Sequence, residues 1–316
     1  GSDKPVAVHY HGITDQDYAA RMQVLVDGRS LHSPLFSGGM NWELVPVALE
    51  DIERIEVVRG SNTTAYGTNA FLGVINIVTR EPALVRGLSL AASNGNQGVR
   101  DYTLRTGGAL GQAGNFRLTV QTRSDNGLDH RLERHPIGAN WRDSNRSRLV
   151  DLRSDFQITP RDYLEIGIGR VDSRNLTGRV VRTTGLPEAG DPLRDFDQAS
   201  TWLQARWLHS YADNADVALR YTYSTDTLDN SFVHPLLGKT NPYGGRGTRN
   251  EIEALHTFLP TADTRLAWGA SWRRDTLHSR TMLYGRGEVA RNTGRLFANG
   301  DWRPVHWLTL NAGLRY

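Results

Sequence analysis

The residues with the greatest capacity for chemistry are histidines that stand close to acids. His9 and His11 lie two residues apart in "HYH" and would share one face of a strand, with Asp15 and Asp17 close behind. Imidazole and carboxylate groups at such spacing can bind a transition metal. A hydrogen-bonded pair of histidines in the plug explains the spacing better than a metal does. We therefore predict no metal site.

A second group of histidines lies in a long polar segment. His130 and His135 flank Asp129 and Glu133, so a general base is conceivable there. No nucleophile accompanies them, and the absence of cysteine removes thiolate chemistry and thiolate metal sites. A serine–histidine pair on neighbouring strands stays open as an alternative. We predict that the chain is not an enzyme and uses no cofactor.

Glycines divide the segment "RGSNTTAYGTNAFLGVINIVT", at positions 60, 67 and 73. A glycine loop after a strand can hold phosphate, but the phosphate-binding pattern needs a following Lys-Ser/Thr and a helix. Neither is present in this segment. Gly60, Gly67 and Gly73 are therefore expected to allow tight turns and close packing of neighbouring strands.

Charge and hydropathy narrow the class of protein. The 316 residues carry 37 basic and 34 acidic side chains, a net charge of +3, spread along the chain. This distribution does not favour a nucleic-acid partner. Apolar residues make up 38% and never form the run of about 18 that a transmembrane helix needs. Alternating barrel strands remain compatible with a membrane.

From residue 84 onward the sequence alternates between apolar and polar residues. In "FRLTVQT", Phe116, Leu118 and Val120 share one face, while polar residues occupy the other. A period of two predicts strands with one wet face. Eleven segments follow this pattern, at about 86–93, 100–110, 114–124, 147–158, 162–172, 199–210, 215–225, 250–259, 264–275, 294–303 and 307–316.

The connections between these segments alternate between short turns and long polar loops. The long loops cover about 125–146, 173–198, 226–249 and 276–293. An antiparallel up-and-down meander with one simple rim and one elaborate rim gives this order, as in outer-membrane barrels. A soluble sandwich, lectin-like domain or propeller is the alternative.

Polar rows favour the barrel, because they would face its interior. They include Arg153, Asp155, Arg220 and Arg273. Aromatic residues near strand ends indicate interfacial girdles, although they also suit sandwich cores. These aromatic residues are Trp202, Trp207, Tyr211, Trp302 and Trp307.

Residues 1–85 have a different pattern and mix short strands with turns. "RMQVLVDGRSLHS" predicts a hairpin whose turn is Asp27-Gly28. "VPVALEDIERIEVV" predicts one or two helical turns that lead into a strand. "GVINIVT", residues 73–79, predicts a buried strand. We predict a domain over 1–85 and a second domain over 86–316.

The N-terminal motifs resemble the plug domain of TonB-dependent outer-membrane receptors over about residues 8–82. The resemblance includes the "DG" hairpin and the closing Gly-Val-Ile-Asn-Ile-Val-Thr strand. The residues that match are Asp27, Gly28, Glu53, Arg54, Glu56, Arg59, Gly60, Tyr66, Gly67, Asn69, Gly73 and Asn76. The chain departs from the family at His11-Gly12, where Arg-Gly is frequent.

The resemblance implies a mainly β fold, an α+β plug followed by a barrel of about 22 strands. Because eleven strands are predicted here, we expect the rear half of a plug and the front half of a barrel. Such a half-barrel has open edges and is not expected to insert alone. The segment that binds TonB is expected to be absent from this chain.

In functional terms, the resemblance implies a bacterial outer-membrane receptor that imports a scarce nutrient with proton-motive force relayed by TonB. Its implied partners are TonB, a small-molecule ligand and outer-membrane lipid. A ferric siderophore is the first expectation, and cobalamin, haem or a sugar is the alternative. A passive porin and a soluble β-rich binding module are the competing hypotheses.

The resemblance also suggests roles for individual residues. Glu53, Arg54, Glu56 and Arg59 are expected to pair with inward-facing charges of the barrel and hold the plug. The glycines of "SPLFSGGMNW" are expected to expose three apolar side chains at a ligand site. These tentative ligand-binding residues are Phe36, Met40 and Trp42.

Overall fold

The computed structural model describes most of the chain. The described residues are 8–10, 13–15, 21–60, 69–127, 144–178, 181, 184, 186, 188–234 and 236–316; for 8–10, 13–15 and 315 only the backbone is described. Several residues of the sequence analysis lie outside this part, among them His11, Asp17, Tyr66, Gly67, Asp129, His130, Glu133 and His135. Of His9 and Asp15, the strand positions alone are described.

Residues 21–85 build the plug region around a small mixed sheet. The described part of residues 1–85 contains six short strands: β1 (Val8–Tyr10), β2 (Ile13–Asp15), β3 (Met22–Val26), β4 (Arg29–Ser30), β5 (Ile52–Arg59) and β6 (Gly73–Thr79). β1 pairs with β2, and the other four form a sheet of order β4-β3-β6-β5. β3 runs parallel to β6, and the other pairs are antiparallel.

The predicted hairpin turn is confirmed. Asp27 and Gly28 have φ angles of 48° and 76°, and Val26 pairs with Arg29 across the turn. Two successive positive φ angles define the turn type that matches the twist of antiparallel strands. Asp27 is one of the few residue types that tolerate this conformation, and Gly28 adopts it without a Cβ clash.

Residues 87–315 form an eleven-strand antiparallel sheet, which we call the large sheet. Its strands are β7 (Gly87–Asn94), β8 (Arg100–Leu110), β9 (Gly114–Asp125), β10 (Asn145–Thr159), β11 (Asp162–Thr177), β12 (Arg194–Ala212), β13 (Ala215–Asp229), β16 (Gly244–Thr261), β17 (Thr264–Ser279), β18 (Gly287–Val305) and β19 (Leu308–Arg315). The hairpin β14 (Phe232–Val233) and β15 (Thr240–Asn241) lies in the connection between β13 and β16.

Neighbours in the large sheet are neighbours in sequence, apart from that small hairpin. The up-and-down order and all eleven predicted strands are confirmed. Turns of two or three residues, such as 160–161, join the strands at one rim, which we call the short-turn rim. Longer connections join them at the other, the long-loop rim. The predicted boundary at residue 85 falls between the turn Pro82–Leu84 and β7.

In the residues that the structure describes, helical structure is limited to 3-10 turns. They are Pro34–Phe36, Trp42–Leu44, Leu49–Asp51, Pro82–Leu84 and Asn96–Gly98. The helical turn predicted before β5 is therefore present as Leu49–Asp51, but the described residues hold no α-helix. Across this described part, no helix is long and apolar enough to cross a membrane.

The two faces of the large sheet differ in chemistry. On one face, here the inner face, Arg117, Thr119 and Asp151 are buried against the plug region. On the opposite, outer face, Val150 and Ile168 are both 45% exposed although they are apolar. The strands pair Val150 with Arg170 and Leu152 with Ile168, so each face continues across the sheet. The predicted polar interior and apolar exterior are confirmed.

Candidate functional site

The candidate site is the interface between the plug region and the inner face of the large sheet. Three sets of contacts hold these parts together, at mid-sheet, towards the short-turn rim and at the long-loop rim. Each set joins residues that are far apart in sequence. We describe the sets in that order.

The mid-sheet contact is built on Asp27. Its carboxylate accepts hydrogen bonds from the Thr79 backbone N–H (2.9 Å) and hydroxyl (3.0 Å), which fixes the hairpin turn on the end of β6. Arg153 Nη1 reaches from β10 to the same carboxylate and donates to Thr79 Oγ1 at 2.8 Å. Both charged side chains are 16% exposed, so water screens this ion pair only partly.

Two further strands hold the same turn through its backbone. Arg220 Nη1 on β13 donates to the carbonyl of Gly28 at 2.9 Å, and its Nη2 donates to Glu253 at 2.5 Å. Gln204 on β12 donates to the carbonyl of Asp27 at 3.2 Å. The turn is therefore fastened to the inner face at both carbonyls and at the carboxylate.

Arg117 is the centre of the contact towards the short-turn rim. Its side chain is fully buried; Nη2 donates to Asp151 at 2.7 Å and Nη1 donates to the carbonyl of Arg80 at 2.7 Å. Asp51 of the plug region lies 3.8 Å from Arg117 Nε and 3.5 Å from Arg105 Nη1. Because a buried charge without a partner is costly, removing one member of this group would strain the whole interface.

The segment Ser33–Leu44 makes the contact at the long-loop rim. Its Leu35, Phe36 and Leu44 pack with residues of β10, β11 and β13 in one apolar cluster. Those sheet residues are Leu149, Val171 and Leu228. Each fully buried side chain of this kind stabilises the packing by about 1.5–3 kcal/mol relative to exposure.

Polar residues of the same segment extend this contact. Asn41 donates to Gln198 of β12, and Gln198 donates to Glu43 Oε2 at 2.7 Å. Asn175 of β11 donates to the same oxygen of Glu43. The segment is thus fixed to two adjacent strands by side chains as well as by apolar packing.

A cation–π contact lies between the hairpin and β12. The guanidinium carbon of Arg29 is 4.5 Å from the centre of the Trp202 ring. Burial, together with the nearby charge of Arg153, lowers the pKa of Arg29 to about 10. Trp202 is 3% exposed and lies over Gly167 and Gly169 of β11. Its prediction as a girdle residue is therefore wrong, because its ring faces inward.

The other four aromatic residues predicted for girdles lie on exposed positions. Trp207 and Tyr211 on β12 are 36% and 43% exposed, and Trp302 and Trp307 are 51% and 73% exposed. All four lie at the short-turn rim, where a girdle is expected.

The tentative ligand-binding residues do not show the predicted exposure. Phe36 is 2% exposed and Met40 is 1% exposed. Phe36 packs against the large sheet, and Met40 packs with Met22, Val24 and Leu72 inside the plug region. Trp42 is half-buried against that second cluster. The expected exposure of Phe36 and Met40 is wrong, because Phe36 packs against the large sheet and Met40 packs inside the plug region.

The charged residues of β5 also differ from their expected role. Arg54 pairs with Glu53 and Glu56 of its own strand, at 2.9 and 2.8 Å, and not with the large sheet. The side-chain amide of Asn76 donates to Glu56 at 2.8 Å. This bond, followed by that from Arg54, lowers the pKa of Glu56. Arg59 is exposed at the end of the same strand.

The remaining motif residues have structural roles within the plug region. Gly60 has a φ of 85°, which favours glycine. A Cβ added to Gly73 would lie 2.6 Å from the carbonyl of Val58, so the glycine permits the close approach of β5 and β6. Asn69 donates to the carbonyl of Gly38 at 3.0 Å and ties two loops together.

Several interface residues have little signal in the sequence. Asn41, Glu43 and Asp51 make contacts with the large sheet that the sequence analysis does not predict. Their only local signal is position, because Asn41 caps a 3-10 turn, Glu43 lies within that turn and Asp51 ends the next one. Their partners lie many residues away and are brought close only by the fold.

Comparison with known proteins agrees with this architecture. Residues 2–74 match the model of the TonB-dependent receptor plug domain. The chain is 33% identical over 292 residues to the vitamin B12 transporter BtuB of Vibrio vulnificus, covering 85% of this chain and 42% of that protein. The chain belongs to the TonB-dependent receptors.

Further relatives of this receptor agree in length and fold. BtuB of Photobacterium profundum is 28% identical over 315 residues, which cover 97% of this chain and 46% of that protein. The ferric yersiniabactin uptake receptor FyuA of Yersinia pestis superposes with a TM-score of 0.74 over 98% of this chain and 50% of that chain. At 16% identity, FyuA shows the fold alone. The receptor chain spans about half the length of these relatives.

Family membership fixes the setting of the described interface. TonB-dependent receptors sit in the bacterial outer membrane and are not enzymes. The small mixed sheet is the plug, and the large sheet resembles part of the barrel. The outer face of the large sheet is its apolar face, and the inner face holds the plug.

Proposed function

We propose that the receptor imports a scarce nutrient across the outer membrane with energy relayed by TonB. The observation that supports this most directly is the kind of contact that holds the plug on the inner face of the large sheet. Its contacts with the inner face are largely hydrogen bonds and ion pairs, including Asp27–Arg153 and Asn41–Gln198. Such contacts exchange with water when surfaces separate, so a plug held this way can move without exposing a large apolar area.

The nutrient is proposed from the relatives. Vitamin B12 is the first candidate, because the relatives with 28–33% identity over most of this chain are named vitamin B12 transporters. A ferric siderophore, the first expectation from the family, is the second candidate. The solved siderophore receptors are only 14–18% identical to this chain and support the fold rather than the ligand.

Uptake by living cells tests the proposal. Cells that express the receptor in its full natural length are given labelled vitamin B12 or labelled ferric siderophores. Uptake of one ligand class is expected, and it should stop when the proton-motive force is dissipated or TonB is deleted. Uptake that continues unchanged under both treatments would support a passive porin instead.

A matched comparison separates the two nutrients. The same cells are starved either of iron or of vitamin B12, and receptor-dependent growth is scored on each nutrient. Growth on vitamin B12 without growth on ferric siderophores would support the first candidate. The reverse result would support the siderophore and overturn the first candidate.

A further inference from the structure

The outer face of the large sheet has two different rims. At the short-turn rim its exposed side chains are largely aromatic, for example Trp207 and Trp268. At the long-loop rim, neighbouring strands β10 and β11 present Arg146, Arg148 and Arg170 on the same face. The rim that would lie on one side of the membrane is thus aromatic, and the other is rich in arginine.

These three arginines and Arg174 line one depression. Its volume is about 540 Å³, and its wall is shared by β10, β11, β12 and β13. The arginines are Arg146, Arg148, Arg170 and Arg174. They lie directly beyond the exposed apolar positions Val150 and Ile168, so they begin where the apolar band ends.

The arginines are only partly neutralised by acids. Arg170 pairs with Asp172 at 2.5 Å, and Arg174 pairs with Asp197 at 2.5 Å. Within the described residues, Arg146 and Arg148 are exposed and form no ion pair. Arg174 also lies 3.8 Å from Asp195, and Asp229 is a further acid in the depression. In the described part of the chain, the depression therefore offers two guanidinium groups, those of Arg146 and Arg148, that pair with none of these carboxylates.

The position and the residue type select one kind of ligand. A guanidinium group binds a phosphate through two parallel hydrogen bonds, which an ammonium group cannot do. Basic residues at the edge of an apolar belt lie at the depth of lipid headgroups and attract anionic ones. We propose that this depression binds the phosphate of a lipid headgroup in the leaflet on the long-loop side, with Arg146 and Arg148 as its main contacts.

The paired arginines have a different role in this site. Arg170 also donates to Thr201 of β12 at 2.9 Å, and Arg174 spans from β11 to Asp197 of β12. These contacts hold the wall of the depression across two strands. Arg170 and Arg174 are therefore positioning residues that leave Arg146 and Arg148 free for the ligand.

Lipid retention tests this site independently of nutrient transport. The full-length receptor is placed in nanodiscs of phosphatidylcholine mixed with lipid A, whose headgroup carries phosphates, or with dephosphorylated lipid A. Native mass spectrometry then counts the glycolipids bound to each receptor. Arg146→Gln/Arg148→Gln is the test variant. Arg161→Gln, an exposed arginine in the short turn between β10 and β11, is the control.

The expected result is selective loss in the test variant. Each arginine near a membrane surface contributes a factor of about five in binding, so the double variant should bind lipid A about thirtyfold more weakly. The control variant should bind it like the natural receptor, and the dephosphorylated form should bind weakly to all three. Equal retention of lipid A by the natural receptor and the double variant would overturn the proposal.

Inorganic phosphate distinguishes the source of the phosphate group. The natural receptor should retain lipid A when inorganic phosphate is added, because the apolar residues next to the arginines hold the acyl chains. Displacement of lipid A by inorganic phosphate would show a site for free anions and would overturn the lipid assignment.

Discussion

At the scale of single residues, the plug is held by side chains whose partners are distant in sequence. Asp27 was recognised from the sequence as a turn residue, and the turn formed as predicted. Its ion pair with Arg153 spans 126 residues and has no local signal. Sequence periodicity reports which face a residue occupies, but not which residue lies opposite it on another element.

Replacing Asp27 with asparagine tests the mid-sheet contact. Asparagine tolerates the positive φ of this position, so the turn is kept while the charge that faces Arg153 is lost. Hydrogen bonds to charged groups contribute about 1.5–3 kcal/mol to stability. We therefore expect the free energy of unfolding of the plug to fall by about 2 kcal/mol. Urea unfolding of the solubilised receptor, followed by tryptophan fluorescence, measures this change.

Glu53→Gln is the matched control for that variant. Glu53 also pairs with an arginine of the plug, but this pair is exposed on β5 and makes no contact with the large sheet. Its urea midpoint should equal that of the natural receptor. Equal midpoints for Asp27→Asn and Glu53→Gln would contradict the proposed role of Asp27.

The depressed pKa of Glu56 predicts a pH dependence. Because Asn76 and Arg54 stabilise the carboxylate, this contribution is present above the unfolded-state pKa of about 4.3 and is lost as pH falls through the lower folded pKa. Asn76→Ala should therefore destabilise the plug at neutral pH and less so in acid. Unfolding midpoints across this range measure the effect. In a Glu56→Gln background, the destabilisation caused by Asn76→Ala should no longer depend on pH. A pH dependence that persists there would belong to another group.

At the scale of elements, alternation was enough to find every strand of the large sheet. The strands nevertheless run further than predicted. β18 was expected over 294–303 and covers Gly287–Val305, and β12 was expected over 199–210 and covers Arg194–Ala212. Beyond the apolar band both faces are polar, so the alternation ends while the backbone ladder continues.

The plug loops were harder to predict than the strands. The glycines of Ser37–Gly39 suggested an open loop that exposes its apolar side chains. The 3-10 turn Pro34–Phe36 instead directs Leu35 and Phe36 into the inner face of the large sheet. Short turns without a clear period leave the direction of each side chain undetermined by the sequence, so the ligand contact proposed for this loop stays a prediction.

A substitution at Gly247 on β16 tests whether this loop packs closely against the inner face of the large sheet. A Cβ at position 247 would lie 2.7 Å from the backbone nitrogen of Leu35 and 2.8 Å from its Cβ. Overpacking of this kind costs about 1–3 kcal/mol, so Gly247→Ala should loosen the loop and increase protease cleavage near Leu35. Gly294→Ala is the control, because nothing lies within 4 Å of its added Cβ. Equal cleavage of both variants would contradict the contact.

At the scale of the whole molecule, the two faces of the large sheet differ in chemistry. Its outer face presents apolar side chains with arginines beyond them, while its inner face presents charges to the plug. The polar inner face explains why the plug is held by a few ion pairs and one apolar cluster rather than by a continuous core. That arrangement is compatible with the plug movement that the proposed function requires.

The central claim is that the plug must move against the inner face for transport to occur. A reversible cross-link between the two tests it most directly. Ser33 Oγ of the plug lies 3.0 Å from the position of a Cβ on residue 247, which is close enough for a disulfide. The same Cβ crowds Leu35, so the Gly247→Cys single variant is the control for loosening of the loop without a cross-link. The chain has no cysteine of its own, so Ser33→Cys/Gly247→Cys has no competing partner within it.

The measurement is nutrient uptake by cells that carry this double variant, before and after reduction, with each single cysteine variant as a control. We predict that the oxidised receptor binds its nutrient without importing it and that reduction restores import to the level of the single variants. If the fully cross-linked receptor imported the nutrient as fast as the receptor whose disulfide has been reduced, the account would be contradicted. Transport would then proceed with the plug fixed at this contact.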